Sequence, residues 1–204
     1  MPRIRAIFSK MGLSVFIPHV DLPILFTRAA RRAGISMEYT QGFSPHPRTA
    51  FGPPLPVGIV GLREPAEFWF ERWNDNSLAS WRAAMPAGID IFEAKETSGI
   101  SLAKLCAAAS YIIEPLNGAG PEDISRTLED EFTGLGTLLD IKTTGREITL
   151  SVTDLERSGA SRMVKSLVAS RMISGWKDLS IVRTAVGRWD ESAGVTQGTE
   201  EYCE

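Results

Sequence analysis

Cysteine is scarce in this sequence. The 204 residues include two, Cys106 and Cys203, which stand far apart and form no CxxC or CxxxCxxC pattern. Such spacing argues against a disulfide scaffold, a thiolate zinc site and an iron–sulfur cluster held by this chain alone. We therefore expect this chain to bind no metal and no cofactor, and we expect a cytoplasmic location, where structural disulfides are rare.

Long apolar runs are absent too. No window approaches the roughly 18 consecutive apolar residues of a membrane-spanning helix, so we expect no membrane association. The opening residues, MPRIRAIFSKMG, place charges where a signal peptide needs its apolar stretch, which makes export by that route unexpected. Hydrophobic residues still make up 43% of the chain and charged residues 23%, a composition typical of a folded core.

A strong net charge is also missing, because the formal total is −3 at pH 7. That total hides a partition. Residues 1–52 carry seven basic and two acidic side chains, residues 161–189 carry six basic and one acidic, and the last fifteen carry five acidic and no basic. Two basic segments can meet in space, so the chain is not broadly basic but can still offer a local anionic site. The alternative is an uneven distribution of charge without function.

The pattern of apolar residues predicts strand, helix, strand, strand, helix, strand in each half of the chain. Two βαββαβ units in tandem predict an α+β fold of two ferredoxin-like halves with antiparallel sheets. The halves are residues 1–97 and 108–189, followed by an acidic, flexible tail at 190–204. In the first half, residues 13–17 (LSVFI) and 35–40 (ISMEYT) are predicted as strands. The alternative is a single mixed sheet with helices on one face.

Residues 18–58 contain both histidines of the protein. His19 lies just before a predicted helix, and His46 lies between two prolines in the loop QGFSPHPRTAFGPPLPVG. Loops of this length are usually functional or disordered, and the interleaved aromatic residues favour an ordered one. Histidine suits general acid–base chemistry. The alternatives are a capping or packing role for His19 and a structural loop around His46.

The predicted helix begins at Asp21, a favourable N-cap residue, and presents three arginines, Arg28, Arg31 and Arg32. Like charges at this spacing destabilise a helix by a few tenths of a kcal/mol, so an anionic ligand would offset an existing cost. Arginine suits phosphate because its planar fork donates two parallel hydrogen bonds. The alternative is a solvated helix face. Nearby residues of suitable type for RNA are Arg48, for phosphate, and Tyr39 and Phe43, for base stacking.

The runs His19-x-Asp21, Arg28-Ala29-x-Arg31-Arg32-Ala33-Gly34, Gly42-Phe43-Ser44-Pro45-His46-Pro47 and Pro54-Leu55-Pro56-x-Gly58 resemble an uncharacterised radical-SAM-linked family of bacteria. Members of that family occur alone or fused behind B12-binding radical SAM enzymes. The resemblance is specific over about residues 3–70. This chain has Pro18 where the family usually has Ser, and Ser44 where it usually has Asn.

The resemblance implies partnership with a radical SAM enzyme in RNA modification, the partner carrying an iron–sulfur cluster, SAM and, in some members, B12. Two distant cysteines cannot supply the three thiolates of such a cluster, so this chain is not the radical enzyme. The leading hypothesis is an accessory RNA-binding or substrate-recognition module for transfer or ribosomal RNA. Its predicted phosphate contacts are Arg28, Arg31, Arg32 and Arg48, with Tyr39 and Phe43 stacking and with His19, Asp21, Ser44 and His46 as polar motif residues.

Two other functions stay open. The tandem architecture also looks like the RAMP proteins of CRISPR systems, which bind and sometimes cleave RNA, and this likeness suggests a metal-independent endoribonuclease using His19 and His46 as base and acid. Fold alone does not transfer function. The third hypothesis is a scaffold that docks the radical SAM partner through the proline-rich loop.

Overall fold

A computed structural model of the protein describes residues 1–197. Within them nine strands form one sheet: β1 (Arg3–Lys10), β2 (Thr49–Phe51), β3 (Val60–Trp69), β4 (Ile89–Glu96), β5 (Ala108–Pro115), β6 (Leu138–Thr144), β7 (Glu147–Thr153), β8 (Leu179–Asp190) and β9 (Gly194–Thr196). The helices are α1 (Leu22–Arg32), α2 (Ser77–Ala83), α3 (Leu102–Leu105), α4 (Pro121–Gly134), α5 (Leu155–Ser158) and α6 (Ala160–Ala169). Three short 3₁₀ turns cover Gly12–Phe16, His19–Asp21 and Trp176–Asp178.

The strand order confirms the predicted α+β fold of two ferredoxin-like halves. In the first half the order is β4-β1-β3, with β2 on the far edge of β3, and in the second half it is β8-β5-β7-β6. Both are the order 4-1-3-2 of a βαββαβ unit, and all pairings within a half are antiparallel.

The two halves share one continuous sheet because β3 also pairs with β8. This pairing is parallel and short, joining Val60 to Val182 and Gly61 to Arg183. The edge of β3 is thus divided: its later residues pair with β2 and its first residues with β8. We call this junction of the two halves the seam.

Helices cover one face of the sheet in both halves. In the first half, Phe26 of α1 and Trp81 of α2 pack on Phe68 of β3, and the Trp81 indole N–H donates to the Phe26 carbonyl at 3.2 Å. In the second half, Phe132 of α4 and Leu167 of α6 are buried in a separate cluster. Alternation along each strand places the buried apolar residues of the strands, such as Phe68, on the side of the sheet that faces these helices.

The segment between the halves crosses the opposite face of the first half. Arg5, on the face of β1 away from the helices, forms a buried ion pair with Glu67 at 2.5 Å and donates to the carbonyl of Ile100. The Arg3 guanidinium donates to the carbonyls of Thr97 and Gly99. These bonds tie residues 97–100 to the sheet, so the joining segment is part of the fold.

Two local predictions are wrong. Residues 13–16 belong to the 3₁₀ turn Gly12–Phe16 instead of a strand, because the Met11 amide donates to Gly88 and Gly12 turns the chain with a φ of +56°. Residues 35–40 contribute two isolated bridges, at Met37 and Tyr39, instead of a continuous strand. Within the predicted tail, β9 pairs with β8, and the Gln197 side chain donates to the carbonyls of Arg63 and Val186. The rest of the predicted tail, including Cys203, lies outside the described residues.

Candidate functional site

Helix α1 supplies one wall of a groove on the first half. The helix begins with Pro23 in its first turn, where a missing N–H costs little. Asp21 occupies the N-cap position as predicted, but its side chain makes no capping hydrogen bond and is exposed. The buried side of α1 includes Phe26, Ala29 and Ala30, which leaves the arginines on the outer side.

The loop after α1 supplies the other wall. Its base is held by main-chain bonds, with the Glu38 amide donating to Trp69 and the Arg48 amide donating to Glu38, both at 2.8 Å. Its tip is closed by Thr40, whose amide donates to the His46 carbonyl at 2.8 Å and whose hydroxyl lies 3.1 Å from His46 Nδ1. The loop therefore holds the His46 ring in a defined place.

Between these walls lies a groove of about 790 Å³. It brings together four of the residues that the sequence predicted for RNA or catalysis: Arg28, Arg31, Tyr39 and His46. Its floor and rim are mostly apolar or small, including Ile24, Thr27, Ile35, Met37 and Pro47, and Glu71 adds one acidic side chain. We call this feature the α1 groove.

Other predicted residues lie outside the α1 groove. Arg32 donates to the carbonyl of Ala84, and Arg48 pairs with Glu38 at 3.2 Å while its guanidinium lies 4.4 Å from the Trp69 ring centre. Phe43 is fully exposed on the loop, and Ser44 contacts the site only through its carbonyl, 3.3 Å from His46 Nδ1. Arg32 and Arg48 are thus already engaged by the protein.

His19 lies in a different environment from His46. Its ring meets Phe51 edge-on with 6.0 Å between ring centres, and it is half-buried. Burial lowers the pKa of His19, and the positive charges of Arg183 and Lys10 lower it further, against the opposing effect of Glu64. The imidazole is therefore in electrostatic reach of charged side chains at the seam.

The charged side chains near His19 belong to a row of residues that crosses four strands. The sequence did not reveal this row. In register, Lys10 of β1 lies opposite Gly61 of β3, Gly61 opposite Arg183 of β8, and Arg183 opposite Tyr111 of β5. Glu64 lies over Gly61, where an added methyl group would come within 2.7 Å of Glu64 Oε1. We call Lys10, His19, Glu64, Tyr111 and Arg183 the seam cluster.

Arg183 is the centre of the seam cluster. Its guanidinium binds Glu64 through two bonds, Nε to Oε1 at 2.9 Å and Nη2 to Oε2 at 2.6 Å. It also donates to the carbonyls of Pro53 and Pro54 at 2.8 and 3.3 Å, which fixes the proline-rich loop over the seam. Burial by itself lowers the pKa of Arg183, but the charge and hydrogen bonds of Glu64 raise it above its ordinary value. The pair is a buried, bidentate salt bridge.

Lys10 lies beside that pair without a partner of its own. It is 1% exposed, and its ammonium nitrogen has no hydrogen-bond partner among residues 1–197. Burial lowers the pKa of Lys10, with Glu64 acting to raise it and Arg183 to lower it. Burial likewise raises the pKa of Tyr111.

Comparison with protein-family models matches residues 3–170 to a family described as uncharacterised protein conserved in bacteria, DUF2344. The chain belongs to this family. The matched range contains the α1 groove and every member of the seam cluster except Arg183. Among curated protein sequences, none matches this chain.

Two remote likenesses to this DUF2344 protein stand among the 33 chains of solved structures that match it. One is the archaeal box H/ACA sRNP Nop10-Cbf5 complex, with 15% identity and a TM-score of 0.42 over 89% of this chain and 48% of that chain. The chain therefore spans about half the length of that match. The other is described as a "putative glycine cleavage system transcriptional repressor", with 6% identity and a TM-score of 0.25 over 90% of this chain and 98% of that chain. Because both TM-scores lie below 0.5, neither likeness carries an argument about function.

Two arginines of the second basic segment, residues 161–189, are engaged by carboxylates. Arg183 does reach the first half, but as the buried partner of Glu64. Arg162 of α6 pairs with Glu131 at 2.5 Å, and it lines a separate cavity of about 120 Å³ beside Arg183 and Tyr111. Neither of these two arginines therefore extends the cationic wall of the α1 groove.

The described part of this DUF2344 protein contains no cluster of metal-ligating side chains, and its cysteine is a protonated thiol. In residues 1–197 no three His, Cys, Asp or Glu side chains are placed to hold a metal ion. Burial raises the pKa of Cys106 to about 12, so its thiol is protonated at neutral pH. None of the helices in residues 1–197 has the length and apolar content of a transmembrane segment.

Proposed function

We propose that this protein is an RNA-binding, substrate-recognition module that holds RNA in the α1 groove and serves a radical SAM enzyme. One observation carries the RNA part of the proposal: the groove places Arg28, Arg31, Tyr39 and His46 around one open space of about 790 Å³. A space of this size accommodates a nucleotide or two, and its residue types match phosphate and base recognition.

The two groove arginines are available for an external anion. Both are exposed, and no carboxylate within residues 1–197 pairs with either, in contrast to Arg48 and Arg82 elsewhere in the first half. Spaced three residues apart on α1, they repel each other in the free protein. A phosphate between them removes that repulsion and accepts bidentate hydrogen bonds.

The loop side of the groove supplies contacts for bases. Tyr39 is 52% exposed in the groove wall, and Phe43 is fully exposed at the loop tip. Aromatic rings that project into solvent beside cationic groups are the usual means of holding single-stranded RNA, because every base has a face that can stack. His46 adds a hydrogen-bonding group whose ring position is fixed by Thr40.

The radical SAM part of the proposal rests on the resemblance of residues 3–70, and an exposed apolar segment supports protein docking. Leu13, Phe16 and Val20 are 86%, 64% and 77% exposed in the turns before α1. Exposed apolar side chains in such number usually mark an interaction site. Docking of the partner enzyme at this segment would place it next to α1.

The endoribonuclease alternative requires His19 and His46 to act on one phosphate. His46 lines the α1 groove, whereas His19 lies with the seam cluster and against Phe51. No observation favours a paired role, so this alternative stays a prediction.

RNA binding is tested by filter retention of total cellular RNA between about 50 and 200 mM KCl, a range in which phosphate contacts weaken steeply. We expect retention at low salt, and we expect Arg28→Ala with Arg31→Ala to lower affinity at least about tenfold and to reduce the salt slope by about two. The matched control is Arg126→Ala with Lys165→Ala, which removes two exposed charges from the helices of the second half. Equal loss in both double variants, or no retention by the unmodified protein, would contradict the proposal.

Partner docking is tested by affinity purification from native cells after ribonuclease treatment. We expect a co-purifying protein with a CxxxCxxC motif and an iron–sulfur absorbance band, lost in Leu13→Ser with Phe16→Ser and kept in Val168→Ser, an exposed apolar position on α6. If that protein is recovered only when RNA is left intact, then RNA, and not this segment, joins the two proteins.

A further inference from the structure

Two nitrogen-bearing side chains of the seam cluster have no hydrogen-bond partner. The buried Lys10 ammonium has none among residues 1–197. The half-buried His19 imidazole meets the edge of the Phe51 ring and no hydrogen-bonding group of the described chain. Buried polar groups in folded proteins are nearly always paired, so the unpartnered Lys10 ammonium beside the half-buried His19 needs an explanation.

The neighbouring ion pair does not provide the missing acceptors. Both carboxylate oxygens of Glu64 are engaged by the Arg183 guanidinium, at 2.9 and 2.6 Å. When Lys10 is protonated, the cluster contains two buried cations and one buried carboxylate, a net charge of +1. A buried cation without a counter-ion is strongly disfavoured unless an anion joins it.

The structure around the cluster commits Glu64 to Arg183. Because Gly61 lacks a side chain, Glu64 lies over it and is held there by Arg183. Arg183 in turn is held by the carbonyls of Pro53 and Pro54. The arrangement is therefore fixed by several bonds, and Lys10 is left as the free cation.

We propose that Lys10 and His19 bind one oxyanionic group, a phosphate or a carboxylate, of a small ligand at the seam. The ammonium offers three donors and the imidazole at least one, and the several lone pairs of an oxyanion satisfy both. His19 is the member of the cluster that reaches the surface, so the group enters past its ring. Neither residue lines the α1 groove, so this site is separate from the proposed RNA site.

The test follows the two histidine side chains by NMR while inorganic phosphate or acetate replaces chloride at constant ionic strength. We expect saturable shifts of the His19 ring signals and a rise of its pKa, because a bound anion stabilises the imidazolium. Assignment uses His46→Gln, which leaves His19 as the one remaining histidine. Response to phosphate alone identifies a phosphate ligand, and response to acetate alone identifies a carboxylate ligand.

Lys10→Met replaces the side chain by an unbranched one that is one atom shorter and carries no charge. We expect this substitution to lower the affinity for the anion at least tenfold while the protein stays folded. The control is Arg162→Ala, at the separate cavity of about 120 Å³ beside Arg183, which should leave His19 shifts unchanged. If Lys10→Met fails to fold, His19→Gln replaces it, with anion-dependent thermal stabilisation of the protein as the readout.

Absence of saturable His19 shifts with both anions overturns the proposal, as does an unchanged response in Lys10→Met. Loss of the response in Arg162→Ala instead would assign the anion to the other cavity and also overturns it. The result is independent of the RNA proposal, since Arg28→Ala with Arg31→Ala changes the groove and leaves the seam cluster intact.

Discussion

The two halves of the protein share one topology but differ where the second strand of each unit forms. In the second half that strand is β6, seven residues long, joined to β7 by a tight turn at Gly145. In the first half it is β2, three residues long, and the chain before it is a loop beside α1. The shorter strand therefore leaves room beside α1 for the α1 groove.

The arginines of the helices differ in the same way. In the second half Arg126, Arg157 and Arg162 each pair with a nearby carboxylate, at 3.8, 3.4 and 2.5 Å. On α1, Arg28 and Arg31 have no such partner in the described chain and face the groove instead. One architecture thus carries a half whose helix arginines are paired with carboxylates and a half with a cationic recess.

The largest expected effect on stability is at the buried ion pair of the seam, which we compare with a surface ion pair of the second half. Glu64→Ala leaves the buried Arg183 without its counter-ion, and we expect a loss of about 3–5 kcal/mol in the free energy of unfolding. Glu131→Ala breaks the more exposed pair with Arg162, for which we expect about 1 kcal/mol or less. Urea unfolding of both variants measures the contrast. Similar losses in the two would mean that the seam pair is no more than a surface contact.

A second contrast concerns one glycine in each half. In Gly61→Ala the new methyl group would lie 2.7 Å from Glu64 Oε1, an atom that Arg183 prevents from moving, so we expect a loss of about 1–3 kcal/mol. Gly134, at the end of α4, has open space around it, so Gly134→Ala should stabilise the protein by about 0.5–1 kcal/mol. Thermal unfolding of the two variants should shift in opposite directions, and a shift of the same sign would refute the packing described at Gly61.

Lys10 provides a contrast in pH dependence. Because its pKa is lowered in the folded protein, the unfolded chain binds the extra proton between the folded pKa and the ordinary value of 10.5, so stability rises with pH through that window. Lys10→Met lacks this rise. At neutral pH it should be more stable than the unmodified protein by about 1–3 kcal/mol, because an unsatisfied buried donor is removed. Urea titrations from pH 7 to 10.5 should show the difference shrinking, and a constant or growing difference would contradict the placement of Lys10.

The smallest expected effect is at Cys106. With its pKa raised to about 12, the thiol should react with iodoacetamide at pH 8 at least about tenfold more slowly than an exposed cysteine peptide. The measurement uses Cys203→Ser, so that Cys106 is the remaining thiol, and follows the mass of the intact protein. A rate close to that of the peptide would mean that the thiolate forms readily.

Much of the fold could be predicted from the sequence because it depends on local patterns. Apolar spacing identified α1 and α4, and alternation identified β1 and β5. The failures are at residues 13–17 and 35–40, whose apolar residues suit a strand but whose backbone forms a 3₁₀ turn and two isolated bridges. Which partner a short segment meets is decided by the rest of the chain and not by its own residues.

The candidate site could be predicted only in part, because contacts between distant parts of the chain decide which side chains face it. Arg28 and Arg31 share the groove, while Arg32 reaches Ala84, since successive helical residues point about 100° apart and the neighbouring elements decide which direction is open. Arg48 was predicted for phosphate but pairs with Glu38 over Trp69, a set of contacts that only the folded loop creates.

The sequence by itself determined most of the strands and helices and the position of both histidines in one segment. The seam cluster was decided by tertiary structure alone. Lys10, Gly61, Tyr111 and Arg183 are scattered over more than 170 residues and meet because the pairing of β3 with β8 joins the two halves. A buried charge is stable only beside a partner, and partners so distant in sequence are chosen by the register of the sheet.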